Sequence, residues 1–291
     1  MTDTWGANSG LDAYPAAVEA LDVRKTYGSG VAETVAVAGI TARFEKGRFT
    51  AIVGPSGSGK TTLLHLLAGL DAPTSGRVII DGTDISTLSD DALSDLRRDR
   101  IGFIFQDFNL LPYLTAEQNI ELPFTLRGRQ PDRQAIRGIA RELGIENRLD
   151  HKPQEMSGGQ RQRVAVARAL ASSPAVVFAD EPTGALDVKS SRQLLGILRD
   201  MATRHGQTIV MVTHDPNAAA YTDRALVVRD DPGGVGADQA FPVPTARRPV
   251  GGGPVGNDAG WNGRVPGYVD REHGHRHGRA AAACGCHHRS R

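Results

Sequence analysis

The most informative run of the chain is Gly54-Pro55-Ser56-Gly57-Ser58-Gly59-Lys60-Thr61. Mostly apolar residues precede it at positions 50–53 and follow it at 62–67, which predicts a buried strand, a glycine-rich turn and the start of a helix. The glycines let successive backbone N–H groups turn toward a phosphate, and the helix N-terminus adds partial positive charge. Lys60 can reach the β- and γ-phosphates, and the hydroxyl of Thr61 can bind Mg²⁺. A glycine-rich turn that merely joins a strand to a helix is the alternative, but the complete pattern in this context predicts a nucleoside triphosphate site.

Charge, cysteine content and apolar runs indicate which partners and which cell compartment to expect for the protein. The chain has 291 residues with 34 basic and 33 acidic side chains, and this balance gives no indication of a nucleic-acid partner. Its two cysteines are Cys284 and Cys286, so the body of the chain has no disulfide framework, as expected in a reducing cytosol. No apolar run approaches the roughly 20 residues that cross a bilayer, and the N-terminus lacks the apolar core of a signal peptide. We therefore expect that, if the protein serves a membrane, it binds at the membrane surface and does not cross the bilayer.

The hydrophobic pattern predicts an α/β fold with a mostly parallel sheet. Continuous apolar runs at 175–179 and 208–212 flank a helical pattern, which indicates parallel strands covered on both faces. Alternating segments between residues 17 and 49 predict a small antiparallel β layer at the N-terminal end. Residues from about 107 to 170 are mainly helical in pattern, and we interpret them as a helical subdomain inserted into the α/β core.

The two ends of the chain are expected to lie outside this core. Residues 1–16 have the scattered Gly, Ala, Asp and Asn of a flexible leader. Residues 230–291 contain no Leu, Ile or Lys and are rich in Gly, Pro, Arg and His, so we expect them to be disordered. Such a composition is also typical of a GC-rich gene read out of frame, and a frameshift near codon 230 is an open alternative to a genuine tail. The folded domain is therefore predicted to span residues 17–229.

A second chemical motif is an apolar strand that ends in two carboxylates. Val176-Val177-Phe178-Ala179 leads directly into Asp180 and Glu181. In a phosphate-loop enzyme an Asp at this position holds the water shell of Mg²⁺, and a Glu one residue later can accept a proton from the water that attacks the γ-phosphate. The pattern alone would fit an ordinary strand that ends in a polar turn. Its combination with the glycine-rich loop indicates catalysis.

A third motif lies at the start of a helix in the predicted insert. Ser157-Gly158-Gly159-Gln160 precedes a helical run that begins at Arg161. Ser157 can cap this helix, and two glycines let a backbone approach an anion closely. Most Ser-Gly-Gly stretches are only helix caps, and it is the position shortly before the acidic strand that favours a functional role.

Six motifs and one aromatic residue, Tyr27, make the chain resemble the ATP-binding subunits of ABC transporters over about residues 17–229. The loop at 54–61 is similar to the Walker A motif of that family, and Val176–Glu181 is similar to its Walker B motif with the catalytic glutamate. Met156–Gln160 resembles the family signature, with Met in place of the usual Leu. The other matches are Phe105-Gln106 to the Q-loop, Ala185-Leu186-Asp187 to the D-loop, Thr213-His214-Asp215 to the histidine switch, and Tyr27 to the aromatic residue that stacks on adenine.

The resemblance implies a fold, a site and an activity. The fold would be a P-loop NTPase core, and two copies would pack head to tail with two ATP molecules between them. Lys60, Glu181 and His214 would act in hydrolysis, and Mg²⁺ would be held by Thr61, Gln106 and Asp180. The residues around ATP would be Tyr27, Gly54, Pro55, Ser56, Gly57, Ser58, Gly59, Lys60, Thr61, Thr62 and Gln106 of one copy, with Ser157, Gly158, Gly159 and Gln160 of the other.

Further segments resemble the subgroup that serves macrolide export and lipoprotein release. These segments are Gly69–Gly76, Gly102–Pro112 and Asp180–Asp187. The resemblance implies a separate permease of four transmembrane helices with a large external domain, an ATPase peripheral to the cytoplasmic face of the cell (inner) membrane, and no nucleic-acid partner. Phe108, Leu110 and Leu111 are then expected to form a partly exposed apolar patch for the permease rather than ordinary core. A cell-division-type ATPase that signals across the membrane without transport is the alternative that the sequence leaves open.

Overall fold

A computed structural model of the chain describes residues 15–29, 33–231 and 234–242. The strands are β1 (Ala16–Tyr27), β2 (Thr34–Glu45), β3 (Phe49–Val53), β4 (Ser75–Ile80), β5 (Thr83–Asp84), β6 (Ile101–Ile104), β7 (Val176–Asp180), β8 (Ile209–Thr213), β9 (Arg224–Asp231) and β10 (Gly234–Pro242). The helices are α1 (Lys60–Leu67), α2 (Asp90–Arg100), α3 (Ala116–Thr125), α4 (Arg133–Glu142), α5 (Gly158–Ala171), α6 (Val188–His205) and α7 (Pro216–Ala219). Nearly all of the predicted leader and most of the predicted tail lie outside the described residues.

Two sheets build the fold. The first is antiparallel, with the strand order β2-β1-β4-β5. The second has the order β10-β9-β3-β8-β7-β6, and of these described strands the five from β9 to β6 run parallel while β10 pairs antiparallel at the edge. The prediction of a mostly parallel sheet with an N-terminal antiparallel β layer is confirmed.

The larger sheet is buried on both faces because alternate residues of its strands point in opposite directions. On β7, Val177 packs in the core that α5 and α6 cover, whereas Phe178 packs in the core shared with α1 and the antiparallel sheet. Helix α1 contacts β1 and β2 on one side and β7 and β8 on the other. The helix that follows the glycine-rich loop is therefore held between two layers.

The predicted helical insert contains three helices that pack on one another, α3, α4 and α5. Helix α3 begins with a reciprocal cap between Thr115 and Gln118, and α4 begins with the side chain of Asp132 as its cap. Helix α2 precedes the insert, and it begins with Ser89 as its cap and with Asp90 and Asp91 in its first turn. None of the helices in the described ranges is both long and apolar enough to cross a membrane.

The chain continues in strands past the predicted domain boundary at residue 229. Strand β9 runs to Asp231, and β10 pairs with it antiparallel from Gly234 opposite Asp231 to Pro242 opposite Arg224. The prediction of disorder from residue 230 is therefore corrected for the strand residues 230–231 and 234–242. Pairing along β9 satisfies backbone polar groups even though this segment has few large apolar residues. The frameshift hypothesis stays a prediction, and residues 243–291 lie outside the described part of the chain.

Candidate functional site

The site lies where β3, β7 and β8 end side by side. Strands β3 and β8 pair in parallel with Val53 opposite Thr213, and β7 and β8 pair with Asp180 opposite Val212. Because the carboxyl ends of parallel strands meet at one edge of a sheet, the residues that follow each strand come together there. The glycine-rich loop, the two carboxylates and His214 are all brought to this edge.

The loop between β3 and α1 depends on glycine at three positions. A Cβ atom on Gly54 would lie 2.3 Å from the carbonyl oxygen of Val228, so a larger residue would force a backbone to move. Gly57 and Gly59 have φ angles of +81° and +73°, in the left-handed region that strains other residues. Helix α1 begins at Lys60, so the free N–H groups of its first turn lie next to the loop.

Substitution Gly54→Ala is expected to destabilise the protein by about 1–3 kcal/mol, the usual cost of forcing extra atoms into a packed site. The clash is with the backbone of β9, which cannot rotate away as a side chain can. Thermal unfolding of the purified chain measures this loss, and the affinity for ATP should fall with it. Gly196→Ala in α6 is the matched control, because the added Cβ meets nothing within 4 Å and should be neutral or stabilise the helix by up to about 1 kcal/mol. Equal losses of stability in the two variants would contradict the steric explanation.

Two buried polar groups in the loop fit an anionic ligand. Lys60 is 6% exposed, and its Nζ donates a hydrogen bond to the carbonyl oxygen of Pro55 at 2.5 Å. Burial lowers the pKa of Lys60, and the negative charges of Glu181 and Asp180 act in the opposite direction. The Oγ of Ser58 is buried and has no hydrogen-bond partner among the described residues. Phosphate oxygens beside a helix N-terminus would satisfy both groups, so the loop fits a triphosphate.

Asp180 and Thr61 form an oxygen-rich side of the site. The Oγ1 of Thr61 donates a hydrogen bond to Oδ1 of Asp180 at 3.1 Å, and the Nε2 of His65 lies 4.0 Å from Oδ2. Burial raises the pKa of Asp180, while the hydrogen bond from Thr61 lowers it. Hydroxyl and carboxylate oxygens are the ligands that Mg²⁺ prefers in proteins, so this pair fits the predicted ion.

Glu181 and His214 are joined by a hydrogen bond. The Nδ1 of His214 lies 2.9 Å from Oε1 of Glu181, and the histidine side chain is 64% exposed against 24% for the glutamate. Glu181 has a φ angle of +42°, a conformation that non-glycine residues adopt where the surrounding structure holds them. Its N–H donates to the carbonyl oxygen of Val212, and its own carbonyl accepts from the N–H of Gly184. The carboxylate is therefore presented from a fixed turn, with the imidazole beside it.

Two other predicted nucleotide-binding residues lie at the margin of the site. The Nε2 of Gln106 lies 3.0 Å from the position that a Cβ on Gly184 would occupy, so the Gln106 side chain rests on the turn that follows Asp180 and Glu181. Tyr27 is 46% exposed, its hydroxyl donates to Asp71, and Thr62 in the first turn of α1 is close enough to lower the pKa of that hydroxyl against the larger effect of burial. Both side chains are thus beside the site, and their roles toward the nucleotide stay predictions.

A buried residue of α5, Gln162, links two of these segments and was not singled out from the sequence. Its Nε2 donates to the carbonyl oxygen of Pro182 at 2.8 Å and to that of Phe105 at 3.4 Å. It therefore connects the turn after Glu181 with the residue that precedes Gln106. The available signal was its helical spacing from apolar residues of α5, which places a polar side chain on the buried face.

The predicted signature residues form a second group at the start of α5. The Oγ of Ser157 accepts a hydrogen bond from the N–H of Gln160 at 3.3 Å, and Oε1 of Gln160 accepts one from the N–H of Ser157 at 2.9 Å. This reciprocal pair is the predicted helix cap. A Cβ on Gly159 would lie 3.1 Å from the Oγ of Ser190, so this backbone packs tightly on α6. Gly158 and Gly159 leave bare backbone at a helix N-terminus, where an anion can approach, and contact with ATP of a second copy stays a prediction.

Comparison with known proteins agrees with this geometry. A family described as ABC transporter matches residues 37–184. The chain is 45% identical over 211 residues to the uncharacterized ABC transporter ATP-binding protein YvrO of Bacillus subtilis, covering 72% of this chain and 92% of YvrO. It is 47% identical over 218 residues to the macrolide export ATP-binding/permease protein MacB of Hyphomonas neptunium, covering 74% of this chain and 34% of MacB. The chain thus spans about a third of the length of this MacB relative.

A solved structure shares the fold over most of the chain. It is a dimeric structure of the ATP-binding cassette MJ0796 in a post-hydrolysis state, bound to ADP and Pi. It superposes with a TM-score of 0.70 at 39% identity and covers 78% of this chain and 99% of that one. The protein MJ0796 of Methanocaldococcus jannaschii is itself 42% identical over 215 residues, covering 72% of this chain and 92% of its own. From its relatives, its fold and the site at the edge of its parallel sheet, the chain belongs to the ABC transporter family, as an ATP-binding cassette with ATPase activity.

Proposed function

We propose that the chain is the ATP-hydrolysing subunit of an ABC transporter and powers a separate membrane permease through ATP-driven closure of a dimer. The observation that carries this proposal is the joint placement of Lys60, the Thr61–Asp180 pair and the Glu181–His214 pair at one edge of the parallel sheet. Phosphate binding, metal binding and a general base are the three functions that ATP hydrolysis requires at one place.

These residues divide the hydrolytic step between them. Lys60 and the first N–H groups of α1 hold the β- and γ-phosphates. Glu181 accepts a proton from a water molecule while the water oxygen attacks the γ-phosphorus. The bond between the γ-phosphorus and the bridging oxygen breaks, and that oxygen leaves with ADP. His214 holds the Glu181 carboxylate through the observed 2.9 Å hydrogen bond and faces solvent, where the γ-phosphate would stand.

A magnesium ion fits the hydroxyl oxygen of Thr61 and the carboxylate oxygens of Asp180. Thr61 and Asp180 would hold the ion together with Gln106, whose amide lies against Gly184 in the turn that follows Asp180 and Glu181. The ion would offset negative charge on the β- and γ-phosphates.

A second copy of the chain is proposed to complete each site. Ser157, Gly158 and Gly159 offer a helix N-terminus with bare backbone, a surface suited to the γ-phosphate bound by another copy. The dimeric state of the solved MJ0796 cassette with ADP and Pi supports this arrangement.

The permease contact is placed at an apolar cavity of about 350 Å³ between α1, α2 and β6. Its lining includes Ala68, Leu70, Arg97, Arg98, Ile101 and Phe103. Leu70 is 43% exposed, and of the predicted apolar patch Leu111 is 45% exposed while Phe108 and Leu110 are half-buried. An apolar cavity with an exposed leucine in its lining is typical of a protein-binding surface, and the exposed Leu111 is a second apolar group outside that lining. We place the chain at the cytoplasmic face of the membrane, and the MacB similarity favours export. Lipoprotein or lipid extraction is the related activity that the resemblance of residues 69–76, 102–112 and 180–187 implies.

Co-expression with a candidate permease of the four-helix type with a large external domain tests the partner. The wild-type chain is expected to co-purify with that permease in detergent. The variant Leu70→Asp, which places a charge in the cavity, should recover much less permease and keep its affinity for ATP. Equal recovery of permease by the two proteins would contradict the assigned surface. Movement of a substrate by the reconstituted complex would support transport, whereas activation of an external wall hydrolase without such movement would favour the cell-division-type alternative.

A further inference from the structure

Asp71 connects β1 to the turn that follows α1. Its Oδ2 accepts a hydrogen bond from the hydroxyl of Tyr27 at 2.7 Å, and its Oδ1 accepts one from the Nζ of Lys25, also at 2.7 Å. The N–H of Ala72 donates to the same Oδ1 at 2.8 Å and fixes the carboxylate relative to its own backbone. Both carboxylate oxygens are therefore engaged, and two of the donors come from one strand.

Lys25 and Tyr27 lie on the same side of β1, because side chains two residues apart in a strand point the same way. The Nζ of Lys25 stands 4.9 Å from the centroid of the Tyr27 ring, within the range of a cation–π contact. It also donates to the carbonyl oxygen of Ala72 at 2.7 Å, so the ammonium is itself held in place. The ring is thus fixed at its hydroxyl and at its surface, whereas an exposed tyrosine without partners would exchange between rotamers.

The fixed ring stands beside the phosphate-binding helix. Thr62, the residue after Thr61, is close enough to the Tyr27 hydroxyl to lower its pKa, although burial and Asp71 outweigh this effect. Burial raises the pKa of the Tyr27 hydroxyl, and Asp71 raises it further, so at neutral pH this hydroxyl is protonated and acts as a donor. Because 46% of the residue remains exposed, the ring keeps free surface for a flat ligand.

We propose that Asp71 is a positioning residue that holds the Tyr27 ring ready as a platform for the adenine base. The inference rests on the proposed function as an ATP-binding subunit and on the prediction from the family resemblance that Tyr27 stacks on that base. Asp71 acts only through the ring, by fixing its orientation before the nucleotide arrives. A platform that is already ordered avoids the loss of side-chain freedom that a mobile ring would undergo on binding.

The test compares the affinity of the full chain for ATP with its affinity for inorganic triphosphate, which lacks the base. Asp71→Ala is expected to weaken ATP binding about 2- to 10-fold, the effect of one side chain that must be ordered on binding, and to leave triphosphate binding unchanged. Tyr27→Phe keeps the ring but not the hydroxyl, so it should give a similar loss and keeps the test available if Asp71→Ala does not fold. Asp71→Asn retains an acceptor for the hydroxyl and should restore most of the affinity.

A double-mutant cycle separates the possible outcomes. In a Tyr27→Ala background, Asp71→Ala should have no further effect on ATP affinity, because no ring is left to position. Additive losses, or an equal loss of triphosphate affinity, would overturn the inference and leave the proposed function intact. If Tyr27→Ala alone leaves ATP affinity unchanged, the predicted stacking role of Tyr27 fails and the inference fails with it, while the proposed ATPase function stands.

Discussion

Glu181→Gln is expected to lower ATP turnover by about 10²- to 10⁴-fold while ATP binding is retained. The amide cannot take a proton from the attacking water, but it has nearly the size of the carboxylate and can still accept a hydrogen bond from His214. A steady-state assay of phosphate release measures turnover, and equilibrium binding of labelled ATP measures affinity.

The same substitution at Glu146 is the matched control for this experiment. Glu146 is paired with Arg141 at 2.7 Å on the surface of the helical insert, away from the strand ends that form the site. Glu146→Gln should therefore leave turnover close to that of the wild type. Near-normal turnover in Glu181→Gln would refute the assignment of Glu181 as the general base.

Lys60→Met is expected to weaken ATP binding by at least about 10²-fold, because hydrogen bonds to charged groups contribute about 1.5–3 kcal/mol each and the ammonium would contact both the β- and γ-phosphates. Methionine is unbranched and only one atom shorter than lysine, so the packing of the loop on α1 is largely preserved. Titration of ATP by calorimetry measures the affinity, and thermal unfolding without nucleotide shows whether the fold is intact.

Lys46→Met serves as the control for loss of a lysine charge. Lys46 pairs with Asp81 at the surface, where its side chain is 45% exposed, and it lies outside the site. It should cost a little stability and leave ATP affinity unchanged. An ATP affinity in Lys60→Met within a few-fold of the wild type would contradict the phosphate-binding role of Lys60.

The parts of the site that could be predicted are those written in consecutive residues. Residues 54–61 carry a strand end, a turn and a helix start, and residues 176–181 carry a buried strand and the carboxylates after it. Each pattern fixes its own local structure, and the rule that parallel strand ends meet then brings the two together. This is why the α/β fold and the placement of Lys60, Asp180 and Glu181 at one edge were accessible from sequence.

The parts that could not be predicted depend on contacts between distant residues. Asp71 meets Tyr27 across 44 positions, and Gln162 reaches the carbonyl oxygen of Phe105 across 57 positions. The sequence around Asp71 or Gln162 contains no local pattern that predicts which distant residue each one contacts. Strand β10 was missed for a related reason, because its order comes from backbone pairing with β9 rather than from a strong apolar pattern of its own.

In the proposed dimer, each ATP is bound by the glycine-rich loop of one copy and by the residues at the start of α5 in the other, Ser157, Gly158 and Gly159, which we call the Ser157 group. Mixing two inactive variants, Lys60→Met and Ser157→Arg, tests it directly. In a mixed dimer the intact loop of the Ser157→Arg copy faces the intact Ser157 group of the Lys60→Met copy, so one complete site is restored. We predict that ATPase activity, absent from either variant alone, reappears on mixing and peaks near equal amounts. Activity that stays at the sum of the two separate variants at every ratio would contradict the shared site.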